Sequence, residues 1–213
     1  MSEEWSRWYR GRLVVGPFTP FEPGELAVLE QETGAPLPAS YRSFLEAAGG
    51  ASLSYTVRLP ACEAEPLQSF DELHRLGRDG SGEYGHGTLL GEYRRCKEWR
   101  LGDDVRPSGL LPIARNGGGD TLFLDLDPAA CGRLHAFVHG IAWPGRLRQG
   151  VLTEVSDDFD SYLDDLFVTR EAAEDVWADV AGSEVDDPWR LTVEAWLDRE
   201  VAGWRADPWA AAL

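Results

Sequence analysis

The chain has 213 residues and a formal net charge of −17, and its acidic residues are concentrated at one end. Residues 154–213 contain 17 acidic and 4 basic side chains, a net charge of −13. This charge repels nucleic-acid phosphates, which excludes direct nucleic-acid binding as a function, and it attracts a basic protein partner. A need for solubility alone would also account for it.

Cysteine usage and hydropathy predict a soluble cytoplasmic protein. Cys62, Cys96 and Cys131 are odd in number and include no C-x-x-C pair, as is typical of reduced thiols. The N-terminus has no apolar signal-peptide core, and no run of about 18 apolar residues predicts a membrane span. A chain of this length buries roughly 70% of its unfolded surface, so we expect it to fold without a disulfide or a metal.

Two helices are predicted after an aromatic and basic N-terminal arm. Residues 1–21 either pack across the domain or expose a small basic aromatic patch. Residues 25–33 have helical apolar spacing and end at Gly34. A second helix begins near Pro38 and ends at the pair Gly49-Gly50. Its core-facing stripe is Tyr41, Phe44, Leu45 and Ala48.

The next segment is predicted to contain one strand, one short helix and a glycine-rich loop. Residues 52–59 alternate as a strand, and Ser69-Phe70-Asp71-Glu72 has the pattern of a capping box before a helix that buries Leu73 and Leu76. Residues 80–85 fit G-x-G-x-x-G, but we reject a dinucleotide site because no βαβ context surrounds them. The basic residues that follow, Arg94, Arg95, Lys97 and Arg100, surround Trp99 and either pair with the acidic C-terminal segment or contact a ligand anion.

Three consecutive strands are predicted in the middle of the chain. Residues 111–115 and 121–126 alternate as strands around the turn Asn116-Gly117-Gly118-Gly119-Asp120. A second turn at residues 127–132 leads into a third strand at 133–139. We expect Asp125 and Asp127 to bind backbone amides around Pro128. The three strands form a meander.

These elements carry a family resemblance. The run PIARNGGGDTLFLDLDP at 112–128, followed by GRLHAFVHG at 132–140, resembles the core of the bacterial Smi/Knr family of the SUKH superfamily. The upstream LPASYRSFL at 37–45, with its glycine pair, is similar to the other signature of that family. The resemblance covers roughly residues 20–168.

The predicted fold class is α+β. We expect a mainly antiparallel sheet of about four to six strands with helices packed on one face, near residues 25–48 and 157–168. A strand at 151–155 precedes a helix that Ser156 caps and that carries Asp157 and Asp158 in its first turn. Residues 1–168 then form the Smi/Knr-like domain. Residues 169–213 form an acidic, tryptophan-rich helical extension, which either packs on the domain or offers a surface to a partner.

No catalytic or metal-binding pattern is recognisable. His135 and His139 are four residues apart on one strand, about 13 Å, which is too far for both to bind one metal ion. Known hydrolase, protease and phosphate-loop motifs are absent from the sequence. We therefore predict a non-enzyme without a cofactor or metal. A small-ligand binder or enzyme would require a deep polar pocket near His135 and Asp125.

The resemblance implies protein binding. Bacterial members of the family resemble immunity proteins that neutralise toxins, often nucleases, and the fungal members resemble scaffolds that regulate cell-wall synthesis. The chain is therefore expected to be a monomer or weak dimer that blocks a basic toxin domain, or else a regulatory scaffold for a cellular protein. The candidate partner-binding residues are exposed acids and two tryptophans: Asp125, Asp127, Glu154, Asp157, Asp158, Asp160, Trp99 and Trp143.

Overall fold

The computed structural model describes residues 5–18, 20–62, 66–77, 87–97, 109–139, 142–143, 146–147 and 150–211. The strands are β1 (Ser6–Tyr9), β2 (Arg12–Val15), β3 (Val57–Arg58), β4 (Leu67–Gln68), β5 (Glu72–Leu73), β6 (Leu110–Arg115), β7 (Thr121–Asp125), β8 (Leu134–Val138), β9 (Ala142–Trp143), β10 (Arg146–Leu147) and β11 (Val151–Ser156). The helices are α1 (Pro23–Thr33), α2 (Ala39–Ala48), α3 (Leu89–Cys96), α4 (Phe159–Asp165), α5 (Arg170–Val180) and α6 (Pro188–Glu200). Two short 3-10 turns follow α6, at Trp204–Ala206 and Pro208–Ala211.

A five-stranded antiparallel sheet organises the fold. Its strand order is β11-β8-β7-β6-β5, so the three central strands form the meander predicted from the sequence. Leu122 lies opposite Ala136, and Ala136 lies opposite Thr153, which places alternate residues of three strands on one face. Together with the six helices of the described residues, this sheet confirms the α+β class.

One face of the sheet packs against helices. The inward-facing side chains of the central strands are fully buried and belong to one continuous apolar cluster with α2 and α4. Aromatic rings fill its centre: the ring of Phe159 lies 5.0 Å from that of Tyr41 and 4.9 Å from that of Phe44. The stripe predicted for the second helix is therefore core.

The opposite face of the sheet carries a smaller buried cluster that the sequence did not predict. Cys96, in the last turn of α3, packs with Leu110, Phe123 and Phe137. The helix begins after Thr88, whose hydroxyl accepts a hydrogen bond from the Gly91 amide at 3.1 Å. The glycine-rich pattern at residues 80–85 lies outside the described residues.

Residues 52–59 form less strand than predicted. Only Val57–Arg58 pairs regularly, with β4, whereas Ser52 makes single bridges to Val15 and Glu72. Thr56 exchanges backbone hydrogen bonds with Phe167 instead. Because the backbone bonds go to different partners, no continuous ladder forms. The predicted alternation is nevertheless correct, since the side chains that it places inward are buried: Leu53, Tyr55, Val57 and Leu59.

The predicted helix after residue 69 is wrong. Glu72–Leu73 is an edge strand that pairs with β6, with Glu72 opposite Arg115. The Glu72 carboxylate accepts a hydrogen bond from the Arg115 guanidinium at 2.5 Å, and the Leu73 amide donates to the Ala51 carbonyl. Residues distant in the sequence thus bind groups that a capping box would bind locally.

The C-terminal extension packs on the rest of the fold. Trp196 and Val193, on the inner face of α6, lie in the main apolar cluster, and the ring of Trp177 lies 4.7 Å from that of Trp204. The N-terminal hairpin of β1 and β2 meets this extension. The Arg12 guanidinium binds the Glu200 carboxylate at 2.9 Å.

A tyrosine hydroxyl joins the two ends of the chain. The hydroxyl of Tyr55 accepts hydrogen bonds from the Trp196 indole and the Leu13 amide, each at 2.9 Å, and lies 3.3 Å from the Glu200 carboxylate. Burial raises the pKa of Tyr55 to about 12, so its hydroxyl keeps its proton. We call this group the Tyr55 clasp: Arg12, Leu13, Tyr55, Trp196 and Glu200.

Candidate protein-binding surface

Strand register places two predicted acids, Asp125 and Glu154, at one end of the sheet, and Asp127 follows in the adjoining turn. β7 ends at Asp125, β8 begins beside it, and Glu154 of β11 lies directly opposite His135. Asp125, His135 and Glu154 share the sheet face of the smaller cluster, because side chains alternate along each strand. We call Asp125, Asp127, Arg133, His135 and Glu154 the strand-end cluster.

Most polar groups of the strand-end cluster have partners within the cluster. The Glu154 carboxylate pairs with Arg133 at 3.0 Å, and the His135 Nε2 lies 3.4 Å from the Asp125 Oδ2. The His135 contact is an ion pair only when the ring is protonated, and it lacks hydrogen-bond geometry. Glu154 and Arg133 are about half exposed, so their contact contributes little to stability.

The two turn aspartates play the local role predicted for them. The Asp125 Oδ1 accepts a hydrogen bond from the Asp127 amide at 2.8 Å, and the Asp127 Oδ1 accepts one from the Ala129 amide at 2.9 Å. Each carboxylate therefore shapes the turn through an amide two residues further on. Asp127 remains exposed to solvent, whereas Asp125 is mostly buried.

The three acids around the start of α4 have different environments. The helix cap is Asp158, not Ser156, because Ser156 stays in β11 opposite Leu134 and the helix begins later. The Asp158 carboxylate accepts a hydrogen bond from the Ser161 amide at 2.7 Å, which holds its pKa below the ordinary value of 3.8. Asp160 lies 3.3 Å from Arg10 of the hairpin, and Asp157 is exposed.

The two predicted tryptophans are not placed by the structure. Trp99 lies outside the described residues. Trp143 ends β9, which pairs with β10, but its side chain is outside the described part of the chain. Nothing in the described geometry joins them to the strand-end cluster.

The basic residues at the end of α3 pair with α1. Pairing with the acidic C-terminal segment, one of the two predicted alternatives, is not seen among the described residues. The Arg94 guanidinium binds the Glu32 carboxylate through two contacts of 2.7 and 3.1 Å, and Lys97 lies 3.6 Å from the same carboxylate. This pairing holds the pKa of Glu32 below its usual value. A shallow cavity of about 500 Å³ lies beside these residues. Its lining comes from α1 and the end of α3: Val28, Gln31, Glu32 and Lys97.

The histidines pair separately with carboxylates. His139 Nδ1 lies 3.1 Å from the Asp120 Oδ1, and its amide donates to the same oxygen at 2.7 Å. His135 instead lies beside Asp125. Among the described residues, no three histidine, cysteine or carboxylate side chains lie close enough to bind one metal ion. The cavity beside α1 includes neither His135 nor Asp125 in its lining.

A second surface lies on the C-terminal extension, where the sequence analysis named no specific residue. Val185 is 74% exposed, Leu191 50% and Trp189 37%. All three follow α5 within a stretch of eight residues, 184–191, that also contains Glu184 and Asp186. The signal that could have revealed this surface is the presence of apolar residues on both sides of α6.

The model of the SMI1 / KNR4 family (SUKH-1) matches residues 20–165. The chain belongs to this family. Comparison with curated proteins and with solved structures gave no match.

The SUKH-1 region contains the main sheet and helices α1 to α4. The N-terminal hairpin and helices α5 and α6 lie outside it, and the Tyr55 clasp connects them to it. In the described part of the chain, no helix is both long and apolar enough to cross a bilayer. The division into residues 1–168 and 169–213 remains a prediction.

Proposed function

We propose that this SUKH-1 protein is a non-catalytic, cytoplasmic immunity protein that blocks a basic toxin domain by covering its functional surface. The observation that carries the proposal is the distribution of charge on a chain of this family: −17 overall, with −13 in residues 154–213. A nuclease toxin must present a basic surface to nucleic acid, and an acidic protein competes for that surface. Such charge complementarity increases the association rate and suppresses wrong partners.

In this proposal the predicted acids attract the partner mainly through their long-range electrostatic field. Asp125, Asp127 and Asp158 accept hydrogen bonds from backbone amides, and Glu154 and Asp160 face arginines. A carboxylate that accepts an internal hydrogen bond from an amide keeps its negative charge, so it still attracts a basic protein at long range. Asp157 is exposed and available for direct contact. Trp99 and Trp143 stay in the proposal as contact residues.

Capture from the source cells tests the function. The tagged protein is incubated with cell extract at low salt and again at about 0.5 M salt, where the Debye length falls to roughly 4 Å. We expect one stoichiometric basic protein that is released at high salt. That protein is then expressed alone in a test bacterium, where it should arrest growth, and co-expression of the SUKH-1 protein should restore growth.

A triple variant separates local contact from total charge. Asp157→Asn, Asp158→Asn and Asp160→Asn remove three charges, and asparagine at position 158 still caps α4. The matched control removes three exposed charges from α5: Glu171→Gln, Asp175→Asn and Asp179→Asn. Weaker capture by the first variant only would support contact near α4. A captured protein that does not inhibit growth would overturn the immunity function.

A regulatory scaffold is the second candidate, and exposed tryptophans favour it. Trp5 is 57% exposed and Trp8 44%, both at the N-terminal hairpin, where the Arg199 guanidinium lies 5.4 Å from the Trp8 ring. Exposed aromatic side chains are frequent anchors for protein partners. In the same capture, a scaffold predicts several cellular proteins in less than stoichiometric amounts, none of which arrests growth.

A further inference from the structure

Helix α6 has apolar side chains on two opposite faces. Its inner face buries Val193, Trp196 and Leu197 in the main apolar cluster. Its outer face exposes Pro188, Leu191 and Ala195, which are spaced three and four residues apart and therefore line up along the helix. A surface helix normally presents polar residues to water.

The outer apolar stripe continues beyond the helix. Val185, in the turn before α6, is the most exposed large apolar side chain in the described part of the chain. We call this surface the α6 outer face; it consists of Val185, Pro188, Leu191 and Ala195. Clustered exposed apolar side chains of this kind mark interaction sites.

The charges at the N-terminal end of the α6 outer face are negative. Glu184 and Asp186 flank Val185, and within the described residues neither carboxylate forms an ion pair. The nearest arginine along the chain, Arg190, is turned inward, where it binds Glu194 and the carbonyls of Ala181 and Ser183. At the other end of α6, Arg205 pairs with Glu194 and Asp198, and Arg199 lies over the Trp8 ring. The unpaired carboxylates therefore border the N-terminal end of the apolar stripe.

We propose that the α6 outer face is the docking surface for a basic protein partner, with Leu191 and Val185 as apolar anchors and Glu184 and Asp186 as charged flanks. The proposal rests on the proposed function for the identity of that partner as a toxin domain. The partner must offer a shallow apolar recess bordered by lysine or arginine. Apolar anchors bordered by complementary charges are the usual composition of a binding hot spot.

A second copy of this chain is a poor occupant for the same surface. A symmetric dimer through α6 would bring together two segments that each carry a net charge of −13. Like charges facing each other across an interface are repulsive. The apolar stripe alone would favour self-association, but its acidic border opposes it.

A peptide of defined chemistry tests the surface without a known partner. The probe is a synthetic helical peptide with a leucine and tryptophan face bordered by lysines, and its control has glutamates in place of the lysines. Amide chemical shifts of the full-length protein are recorded during titration with each peptide. We expect the basic peptide to shift residues 184–195 and the acidic peptide to leave them unchanged.

A pair of matched variants gives the quantitative test. Leu191→Glu places a charge in the centre of the stripe, and Leu67→Glu makes the same change at a comparably exposed leucine, 41% against 50%, on β4. We expect Leu191→Glu to weaken peptide binding at least about tenfold, the loss of an ordinary hot-spot contact, and Leu67→Glu to leave it within about twofold. Thermal unfolding of both variants verifies that they are folded.

Three results would overturn the docking surface. The first is that the peptide shifts amide signals outside residues 184–195, and the second is that both variants weaken peptide binding equally. The third is that the wild type sediments as a dimer and Leu191→Glu dissociates it, which would make a second copy the occupant. The growth assay separates this proposal from the proposed function. If the wild type and Leu191→Glu restore growth equally, the surface is wrong and the immunity function stands. If the wild-type protein restores growth against none of the captured proteins, the immunity function is wrong. The peptide titration then still shows whether the α6 outer face is a docking surface.

Discussion

Trp196 donates its indole N–H to the hydroxyl of Tyr55, from which it is separated by 141 positions in the chain. Tyr55 lies within the SUKH-1 region and Trp196 lies outside it. The contact is 2.9 Å long and fully buried, and the rings meet edge to face with centroids 6.0 Å apart. This hydroxyl thus adds a polar contact to the apolar packing between the family fold and its C-terminal extension.

Removing that hydroxyl should destabilise the protein. Tyr55→Phe leaves the Leu13 amide and the Trp196 indole without their acceptor, so the free energy of unfolding should fall by about 1–3 kcal/mol in denaturant titration. Tyr41→Phe is the matched control, because its hydroxyl is buried and has no hydrogen-bond partner among the described residues. That variant should be as stable as the wild type or more stable. Equal losses in the two variants would contradict this account of the clasp.

The ion pair in the Tyr55 clasp should couple the hairpin to α6. Arg12 also donates to the carbonyls of Leu163 and Asp164, so Arg12→Met should lower the free energy of unfolding by about 2 kcal/mol. Glu200→Gln should lower it by roughly 1 kcal/mol. A double-mutant cycle between the two positions measures their coupling, and a coupling energy near zero would show that the pair does not hold the hairpin.

The stabilising effect of the α4 cap should depend on pH. The pKa of Asp158 is lower in the folded protein than in the unfolded chain, so its stabilisation is present above the ordinary pKa and is lost as pH falls through the folded pKa. Asp158→Ala should therefore cost about 1 kcal/mol at pH 7 and progressively less below pH 4. Denaturant titration across this range measures the difference. Asp157→Ala, which removes an exposed carboxylate without a capping role, should show no such loss.

Gly34, which ends α1, and Gly50, which follows the α2 C-cap Gly49, should tolerate alanine differently. Both Gly34 and Gly50 have positive φ angles, 75° and 92°. A Cβ at Gly34 meets no atom within 4 Å, whereas at Gly50 it would lie 2.6 Å from the Cα of Arg75. Gly34→Ala should cost about 1 kcal/mol from backbone strain alone, and Gly50→Ala should cost more because backbone atoms must also move. Thermal unfolding of the two variants provides the comparison.

Local patterns were enough to predict the centre of the fold. The meander follows from alternating side chains and from turn residues that fix where each strand ends, and the helix at residues 39–48 follows from its apolar spacing. The α3 helix had a readable signal, a threonine cap followed by Leu89, Leu90, Tyr93 and Cys96 at helical spacing, but it was missed beside a glycine-rich segment. Residues 69–76 were misassigned because the pairing of Glu72 with Arg115 outweighs a local capping pattern.

The candidate site was less predictable than the fold. The contacts of Glu154 with Arg133 and of His135 with Asp125 depend on strand register, which no short pattern specifies. The sequence of the C-terminal extension left two alternatives open, packing on the domain or offering a surface to a partner. Its outer face escaped notice because the sequence does not show which side of α6 meets the core. Only the buried positions of Val193 and Trp196 identify Leu191 as outward.

The separation of Arg12 from Glu200 has a consequence for synthesis in the cell. The two residues are 188 positions apart, and the SUKH-1 region ends at residue 165. At about 5–20 residues per second, roughly 2–7 seconds pass between synthesis of residue 165 and that of residue 200. During that interval Tyr55 and the N-terminal hairpin have no α6 to bind. The nascent protein therefore exposes the apolar side chains that α6 covers until α6 itself has been synthesised.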